Sequence, residues 1–582
     1  MGASRQGEVA LLDGWIDNRD ALRGELGLHP TNDAALYAAA VDRWGDGADA
    51  RIVGSYAAIV AGPGGEVRLS RTPWAAPPLY YARHEGNLVV ATSPRVLFAA
   101  GVPRELDHQV VADRAFLRFS ATDTSWYRGL RRVQQATVVH LGRKLDPPQI
   151  VQWYDPLSIA RVHLSSDDEY LEAAKAMLGE AVSAALCGTE ERAVMLSGGL
   201  DSAIVADEIM RRLPQGERLR SYTFIPDPHW DGVLTPDIMG DERPWVEAYA
   251  REHPTLDPVF VGGTGTGFDH RARDIYESIG ISPVALANGA GFHDVFAAAS
   301  KDGVKWLLHA SFANQTFSND GRWSYVEDLL TGRWRQLYRT MALRRGDPRP
   351  TWRKLLSLSL LRILPWPIRS RVRELVNPGA GDALAHMALV RPQALERFGL
   401  RDPIAASGSG YRHEYPVSRR EAILHDYGAC DLEGAESLRA FEELYGVRGR
   451  DVTMYRPLIE FCIGLPTRQF VQDGVERRLA KRLAQGRMPE AQRLNPRYGA
   501  HNVDWHVLMS RRLPELKETA DRIAEHPFLS ELIDVDRMKR MLDEWPERTP
   551  TKFEEWNPLY FGITRAVMTA RFIGWSEGRN DL

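Results

Sequence analysis

The sequence predicts an α/β protein of two domains, in which a parallel sheet forms the core of the second. The first 150 residues are short β-rich runs that end at Gly, Pro or Asn, typical of strands joined by turns. After about residue 165, short apolar strands alternate with helices, which indicates a parallel sheet covered on both faces. The remainder, from about residue 325 to 582, is mainly helical in pattern.

The first domain is predicted as an α+β unit rich in antiparallel strand, spanning residues 1–155. One helix is expected at 33–44, with Asn32 or Asp33 near its start. The chain VQWYDPLSI at 151–159 indicates its end. The β-rich runs lie at 8–14, 51–65, 66–71, 77–87 and 88–94.

The second domain is predicted to span residues 156–582 and to begin with a long amphipathic helix at 165–186, whose start is acidic. The chain SGGLDS follows the first predicted strand directly and continues into a helix. Strands are expected at 193–196, 221–224, 258–261 and 304–309, and helices at 243–252 and 293–301.

Composition excludes several classes of protein. The formal net charge of −4 argues against a general nucleic-acid binder. Cys187, Cys430 and Cys462 are far apart, so neither a zinc ribbon nor a disulfide scaffold is expected, and a reducing cytoplasm fits. No apolar signal region opens the chain, and the most apolar stretch, 355–368, is interrupted by Arg362 and two prolines. A cytoplasmic protein with no transmembrane segment is therefore expected.

A strongly basic segment lies within a predicted helical insertion at about 325–375. Residues 333–373 contain twelve Arg or Lys but only one acid, Asp347, and three tryptophans. A solvated helical insertion with one apolar face on the main body explains this pattern. A docking surface for an anionic partner or precursor, and an interfacial helix on a membrane, are the two functional alternatives.

The sharpest motif runs from Ser197 to Ser202 at the carboxyl end of a predicted strand, where open α/β sheets bind ligands. Gly198 and Gly199 let the backbone approach an anion, and the next helix directs N–H groups toward it. The hydroxyls of Ser197 and Ser202 add donors, and Leu200 is counted with the loop among the predicted nucleotide-binding residues. Asp201 beside a phosphate implies Mg²⁺. The alternative is an ordinary Gly-Gly turn before a capped helix.

This hexapeptide is similar to the pyrophosphate loop of ATP-pyrophosphatase enzymes, which form adenylates. Segments 12–27, 70–82 and 91–102 resemble the class II glutamine amidotransferase half of asparagine synthetases. The resemblance implies an N-terminal Ntn-hydrolase-like domain followed by an adenine nucleotide alpha hydrolase-like synthetase domain with a helical C-terminal part. It also implies ATP and Mg²⁺ as cofactors.

Three departures separate the first domain from a working glutaminase. The family's nucleophile is a cysteine directly after the initiator methionine, where this chain has Gly2. The asparagine that would hold the oxyanion is Asp13, whose charge would repel it. The family's Arg-Asp-Pro is Arg71-Thr72-Pro73. We therefore expect no glutamine hydrolysis, and an amine carried by the substrate itself becomes the simplest nucleophile.

Segments 445–466, 497–505 and 570–580 are similar to motifs of lasso peptide cyclases, which are macrolactam synthetases. The resemblance implies a ribosomally made precursor peptide as substrate, and a leader-peptide-binding protein or protease of the same pathway as partner. An Asp or Glu side chain would be joined to the peptide's N-terminal amine. The alternatives are a β-lactam synthetase-like or asparagine synthetase-like small-molecule ligase, and a non-catalytic decayed synthetase.

The second ligand loop also departs from the family. Where asparagine synthetases have S-G-E-G-x-D, this chain has 309–314, so the Glu becomes Ser311 and the Asp becomes Asn314. Asn314 can still offer an oxygen to Mg²⁺ beside Asp201. Ser311 is a poor base. A peptide α-amine needs less help from a base, because part of it is already neutral. Arg497 matches the lysine that stabilises the adenylate phosphate. A degraded loop and a plain surface arginine are the alternatives.

Other polar residues have two interpretations each. Asp241 and Glu242 open a helix, so they either cap it or serve the site. Arg450 and Asp451 match family positions or form a structural ion pair with one another. His309 and His501 flank the expected pocket, as structural histidines or as proton carriers.

Overall fold

The structure is a computed structural model of the chain. The described residues are 2–3, 8–28, 32–74, 76–118, 123–142, 145–234, 238–263, 265–283, 288–344, 346–376, 382–402, 417–423, 433–500 and 502–579.

Strands are numbered here in chain order. They are β1 Gly2–Ala3, β2 Val9–Ile16, β3 Gly54–Ala61, β4 Val67–Arg71, β5 Tyr80–His84, β6 Asn87–Ala91, β7 Arg131–Arg132, β8 Thr137–Gly142, β9 Leu145–Gln152, β10 Arg192–Met195, β11 Leu219–Ile225, β12 Ile238–Met239, β13 Leu256–Gly262, β14 Trp306–His309, β15 Arg448–Asp451, β16 Val471–Gln472, β17 Val475–Glu476 and β18 Tyr498–Gly499.

Helices are referred to by their bounds. The α-helices among the described residues are Arg19–Leu26, Asp33–Trp44, Ala48–Arg51, Pro94–Ala99, His108–Ala115, Asp167–Leu186, Leu200–Met210, Arg243–Glu252, Ala272–Ile279, Ala290–Lys301, Ser324–Leu330, Trp334–Leu343, Thr351–Leu358, Trp366–Val376, Ala383–Met387, Pro392–Arg397, Gly434–Tyr445, Arg456–Gly464, Arg478–Leu483, Glu490–Arg493, Trp505–Ser510, Leu513–Glu525, Pro527–Leu532, Val535–Asp543, Phe553–Asn557 and Ile563–Ser576.

The first domain contains two antiparallel sheets. Strands run β1-β2-β3-β4-β8-β9 in the larger sheet and β6-β5-β7 in the smaller. One face of the larger sheet packs on the predicted helix Asp33–Trp44, and Leu69, Val139 and Tyr81 form a second core between the sheets. Asn32 caps that helix by accepting a hydrogen bond from Ala35 N at 2.9 Å. The predicted strands and the helix of this domain are confirmed.

The second domain is built on a five-stranded sheet in the order β13-β11-β10-β14-β15. All four pairings in it are parallel, as the sequence predicts. The chain extends from β10 in one direction to β11 and β13, and in the other to β14 and β15. The topological switch point therefore lies between β10 and β14, where a crevice opens at the carboxyl ends of the strands. The chain at 197–202 follows β10 at that edge.

Strand β15 is the element of this sheet that the sequence did not predict. Its residues, Arg-Gly-Arg-Asp, include no apolar or β-branched side chain and do not follow the usual preferences for strands. Pairing with β14 from Trp306↔Arg448 to His309↔Asp451 fixes it at the sheet edge. The register places His309 and Asp451 side by side.

The two domains meet where β2 of the first lies against β14 and β15 of the second. The rings of Trp15 and Trp306 pack edge to face with centroids 5.9 Å apart. The guanidinium of Arg450 lies 4.7 Å from the ring of Trp15 and donates to Asp17 Oδ1 at 2.6 Å. Arg450 and Asp17 are both buried, so this contact is part of one continuous interior.

The helical C-terminal part includes the basic insertion. Leu337 and Met341 of its helices pack against Tyr325 and Val471, so one face lies on the main body. Trp334 and Trp352 are 68% and 61% exposed. In the described part of the chain, every helix is too short or too polar to cross a bilayer.

Candidate active site

Hydrogen bonds to its own serine hydroxyls fix the conformation of the loop after β10. Ser202 Oγ accepts a hydrogen bond from Ser197 N at 3.0 Å and lies 2.9 Å from Ser197 Oγ. Gly199 N donates to Ser197 Oγ at 3.2 Å and precedes the first turn of Leu200–Met210. The side chain of Leu200 is buried in the sheet core, so its backbone faces the loop. These contacts give the loop the shape that an anion requires at a helix N-terminus.

A glycine is required at position 198 because other groups pack closely against it. A Cβ there would lie 2.9 Å from Trp245 Cβ and 3.3 Å from Glu242 Cβ. Gln492 Nε2 supports the loop from another side by donating to Gly198 O at 3.3 Å. The backbone can therefore approach a ligand only if residue 198 has no side chain.

Glu242 is a carboxyl group from outside the loop that contacts the loop backbone. Its Oε2 accepts a hydrogen bond from Gly198 N at 3.3 Å. Burial raises the pKa of Glu242 to about 7, against the lowering effect of that hydrogen bond. Asp241 instead caps the helix Arg243–Glu252 by accepting from Arg243 N at 2.9 Å. The two acids therefore divide the roles that the sequence left open: Asp241 caps, and Glu242 faces the loop.

Asp201 forms an ion pair with Arg477. Arg477 Nε also donates to Ser318 Oγ at 2.9 Å, so a guanidinium lies directly beside the predicted phosphate loop. Within the described residues, no three His, Cys, Asp or Glu side chains converge as a metal site. One carboxylate beside a phosphate loop fits a Mg²⁺ whose other ligands are nucleotide oxygens and water. Asp201 is the residue that would hold it.

The loop after β14 contains the other predicted residues. Ser311 Oγ lies 3.0 Å from His309 Nδ1, and Asp451 Oδ2 lies 3.5 Å from the same nitrogen. Asp451 also accepts from Phe312 N at 2.8 Å. Asn314 lies in a short 3-10 turn, and its side chain is exposed. Of the two interpretations of Arg450 and Asp451, an ion pair between them is not what the structure shows, because Arg450 is bound to Asp17.

Arg497 lies on the segment that faces the loop across Glu242. It is exposed and directly precedes β18, which pairs with β12. A Cβ on Gly499 of β18 would lie 2.1 Å from Glu242 Oε1, so this strand is in contact with the carboxyl group that reaches Gly198. The structure therefore places Arg497 at the rim of the site rather than inside it. His501 lies outside the described residues.

The family's glutaminase positions are occupied by structural contacts. Gly2 pairs with Ala10 in the sheet. Asp13 lies 3.4 Å from Arg448 and 3.5 Å from Arg439, both of the second domain. Arg71 is fully buried and donates to the carbonyls of Pro77, Ala76 and Val133 at 2.8 to 2.9 Å. None of these contacts positions a nucleophile.

The comparison with known families decides the class of the protein. Residues 173–571 match the family described as Asparagine synthase, and residues 1–150 match the Glutamine amidotransferase domain. The chain belongs to the Asparagine synthase family. Asparagine synthase proteins of this type are ATP-dependent amide-forming ligases, and the family uses ATP, generally with Mg²⁺. The predicted superfamily and fold class are thereby confirmed.

Individual relatives of this Asparagine synthase family member are distant. A protein named Amidase chry2, from Gibberella zeae, is 29% identical over 150 residues, which are 25% of this chain and 22% of that protein. The glutamine phosphoribosylpyrophosphate amidotransferase of B. subtilis, solved with ADP and GMP, is 14% identical with a TM-score of 0.20. That match covers 38% of this chain and 56% of the other. The chain thus spans well under two thirds of either relative.

Proposed function

We propose that the protein is a lasso peptide cyclase, an ATP- and Mg²⁺-dependent macrolactam synthetase. It would adenylate an Asp or Glu side-chain carboxylate of a precursor peptide and release pyrophosphate. The peptide's own N-terminal amine would then displace AMP and close an isopeptide bond. The precursor, and a leader-peptide-binding protein or protease, would be its partners.

One observation supports this choice above the others. The domain matched to Glutamine amidotransferase contains no cysteine between residues 1 and 150, whereas the nucleotide loop at 197–202 is intact. Asp13, at the former oxyanion position, is bound to Arg448 and Arg439. For an enzyme that can activate a carboxylate but has no glutaminase nucleophile, the simplest source of an amine is the substrate itself, since an intramolecular amine has a very high effective concentration.

In this proposal the loop residues bind the nucleotide. Backbone N–H groups at Gly198 and Gly199, on leaving Glu242 and Ser197, would hold the phosphates together with the hydroxyls of Ser197 and Ser202. Asp201 with Asn314 would hold Mg²⁺, which neutralises phosphate charge when bound. Arg497 at the rim, together with Arg477 beside Asp201, would stabilise the negative charge of the departing phosphates. Ser311 would orient His309.

The basic segment at 333–373 supports a peptide substrate. Its twelve Arg or Lys against one acid would attract an acidic leader, and exposed rings such as Trp334 and Trp352 would give the leader an apolar contact. Electrostatic docking of this kind weakens as ionic strength rises.

The test is intact-mass spectrometry of core peptides, each with one internal Asp or Glu, incubated with the enzyme, its protease partner and ATP–Mg²⁺. The proposal predicts loss of one water from a peptide together with formation of AMP. Peptides of unchanged mass with no AMP would overturn it. A pyrophosphate-release screen of amino-acid-like carboxylates with free ammonia separates cyclisation from a small-molecule ligase, since that ligase would respond only in the second assay.

A further inference from the structure

A cavity of about 410 Å³ lies between the two domains, under the edge of the parallel sheet. Its volume is that of a small-molecule pocket rather than a packing defect. Most of its wall is apolar. Residues of the wall include Trp15 and Gly54 of the first domain, and Met195, Phe292, Phe296 and Phe441 of the second.

The charged groups in the wall of this cavity are bound to other residues. Asp17 and Arg450 pair at 2.6 Å, and Arg456 donates to the carbonyls of Asp49 and Ala50. Asp451 accepts from Phe312 N and, through Oδ1, from Thr453 N at 2.8 Å. A ligand in the cavity would therefore find few free charges and mostly hydrocarbon.

His309 is the exception. It is 8% exposed, lines the cavity, and no described residue forms a hydrogen bond with its Nε2. Nε2 itself is buried, and a Cβ at position 449 would lie 3.7 Å from it, so Gly449 adds no side chain over this nitrogen. Asp451 can only accept, and its Oδ2 lies 3.5 Å from Nδ1, so this contact favours the tautomer with the hydrogen on Nδ1 and the lone pair on Nε2.

The cavity lies beside the strand that leads into the nucleotide loop. Val194 pairs with Leu308, so Met195 and His309 are neighbours at the ends of β10 and β14, and both line the cavity. Ser197 is two residues beyond Met195. Strand spacings place Ser197 on the order of 8 Å from the His309 backbone. A group in the cavity is therefore close to any carboxylate activated at the loop.

We propose that this cavity binds the apolar residue that presents the attacking primary amine, and that His309 Nε2 accepts the amine's proton. This deepens the proposed function and rests on its adenylation step. The amine nitrogen forms a C–N bond to the adenylated carbonyl carbon. The C–O bond to phosphate breaks, AMP leaves with that electron pair, and the proton from nitrogen passes to Nε2. His309 supplies the base that Ser311 cannot.

The cavity is tested with benzylamine, which joins a primary amine to an apolar ring. Calorimetry should show saturable binding to the wild-type protein, weakened at least about tenfold by Leu438→Trp, which fills the cavity. Leu330→Trp, at a residue 54% exposed elsewhere, is the matched control and should bind like wild type. A crystal soaked with benzylamine is the second measurement and should show it beside His309. Absence from the cavity in both experiments would overturn the pocket.

His309 is tested by separating the two half-reactions. With a core peptide that supports ATP–pyrophosphate exchange, His309→Gln should leave exchange within about twofold and slow amide formation at least about 100-fold. Equal losses in both reactions, or none, would overturn the role of His309. Benzylamine binding needs no activated carboxylate, so it tests the pocket even if no peptide supports exchange, a result that would count against the proposed function alone.

Discussion

Each domain contains an aspartate that is bound by arginine, but the two contacts lie in different surroundings. Asp13 of the first domain, at the family's oxyanion position, is bound by Arg448 and Arg439 across the domain interface. Asp201 of the second domain is bound by Arg477, which lies beside the nucleotide loop. The first contact joins the two domains. The second keeps positive charge at a place where phosphates would arrive.

The contrast extends to the neighbouring residues. In the first domain, Arg71 donates hydrogen bonds to three backbone carbonyls, and Asp17 binds Arg450 across the interface. In the second, the hydroxyls of Ser197 and Ser202 are bound mainly to one another and to the loop, so its anion-binding shape is preserved.

The largest expected effect is at the interface pair. Asp17→Asn should lower the free energy of unfolding by about 3–5 kcal/mol, because buried Arg450 would lose the carboxylate that balances its charge. Burial raises the pKa of Asp17 and lowers the pKa of Arg450, which shows how costly each charge is in this place. Urea unfolding measures the change. The double variant Asp17→Leu/Arg450→Met should recover most of it; equal instability in both variants would refute this view of the pair.

The next effect is at the loop. Gly198→Val should weaken ATP–Mg²⁺ binding about 100-fold, or ~3 kcal/mol, because its side chain would collide with Trp245 and close the backbone to phosphate. Calorimetry measures the affinity. Gly47→Ala is the control, since nothing lies within 4 Å of a Cβ there. Wild-type affinity in Gly198→Val would mean that the nucleotide binds elsewhere.

A smaller, pH-dependent effect is expected at Glu242. Burial raises its pKa from 4.5 to about 7, so the folded chain holds this proton more tightly than the unfolded chain. The stabilisation is full below pH 4.5 and is lost as the pH rises to about 7. Wild type should lose about 2 kcal/mol between pH 5 and pH 8 relative to Glu242→Gln. Parallel stability curves for the two proteins would exclude the shift.

The smallest effect is at Asp13. Its contacts are long and partly exposed, so Asp13→Asn should change the free energy of unfolding by less than about 1 kcal/mol. Amide formation should be unchanged, because Asp13 belongs neither to the loop at 197–202 nor to the wall of the cavity. A thermal melt and the peptide assay measure both. A large loss of activity at unchanged stability would show that Asp13 acts in the reaction.

Much of the fold could be predicted because local patterns determine it. The strand before Ser197 is a short apolar run followed by two glycines, and the helix Asp33–Trp44 begins at a capping Asn32. Strand β15 could not be predicted in this way. Its Arg-Gly-Arg-Asp sequence forms a strand only because β14 offers an open edge to pair with.

The position of the loop at 197–202 could be predicted from the sequence, but the residues that surround it could not. Nothing local shows that Arg477 meets Asp201, which is 276 residues away in sequence, or that Glu242 turns from its helix toward Gly198. Tertiary packing determines which of the many arginines and acids lie beside the loop. The same is true of His309, whose neighbour Asp451 is brought to it by the unpredicted strand. The predicted domain limits at 155 and 156, and the chemical roles of the individual residues, remain predictions.

The central claim is that the protein activates a carboxylate and takes its amine from the substrate, not from glutamine. The most direct measurement is peptide cyclisation with ATP–Mg²⁺ in the presence of ¹⁵N-ammonium and amide-¹⁵N glutamine. The account predicts a peptide lighter by one water, no ¹⁵N in the product and no glutamate released. Incorporation of ¹⁵N into the peptide as a new amide would contradict it.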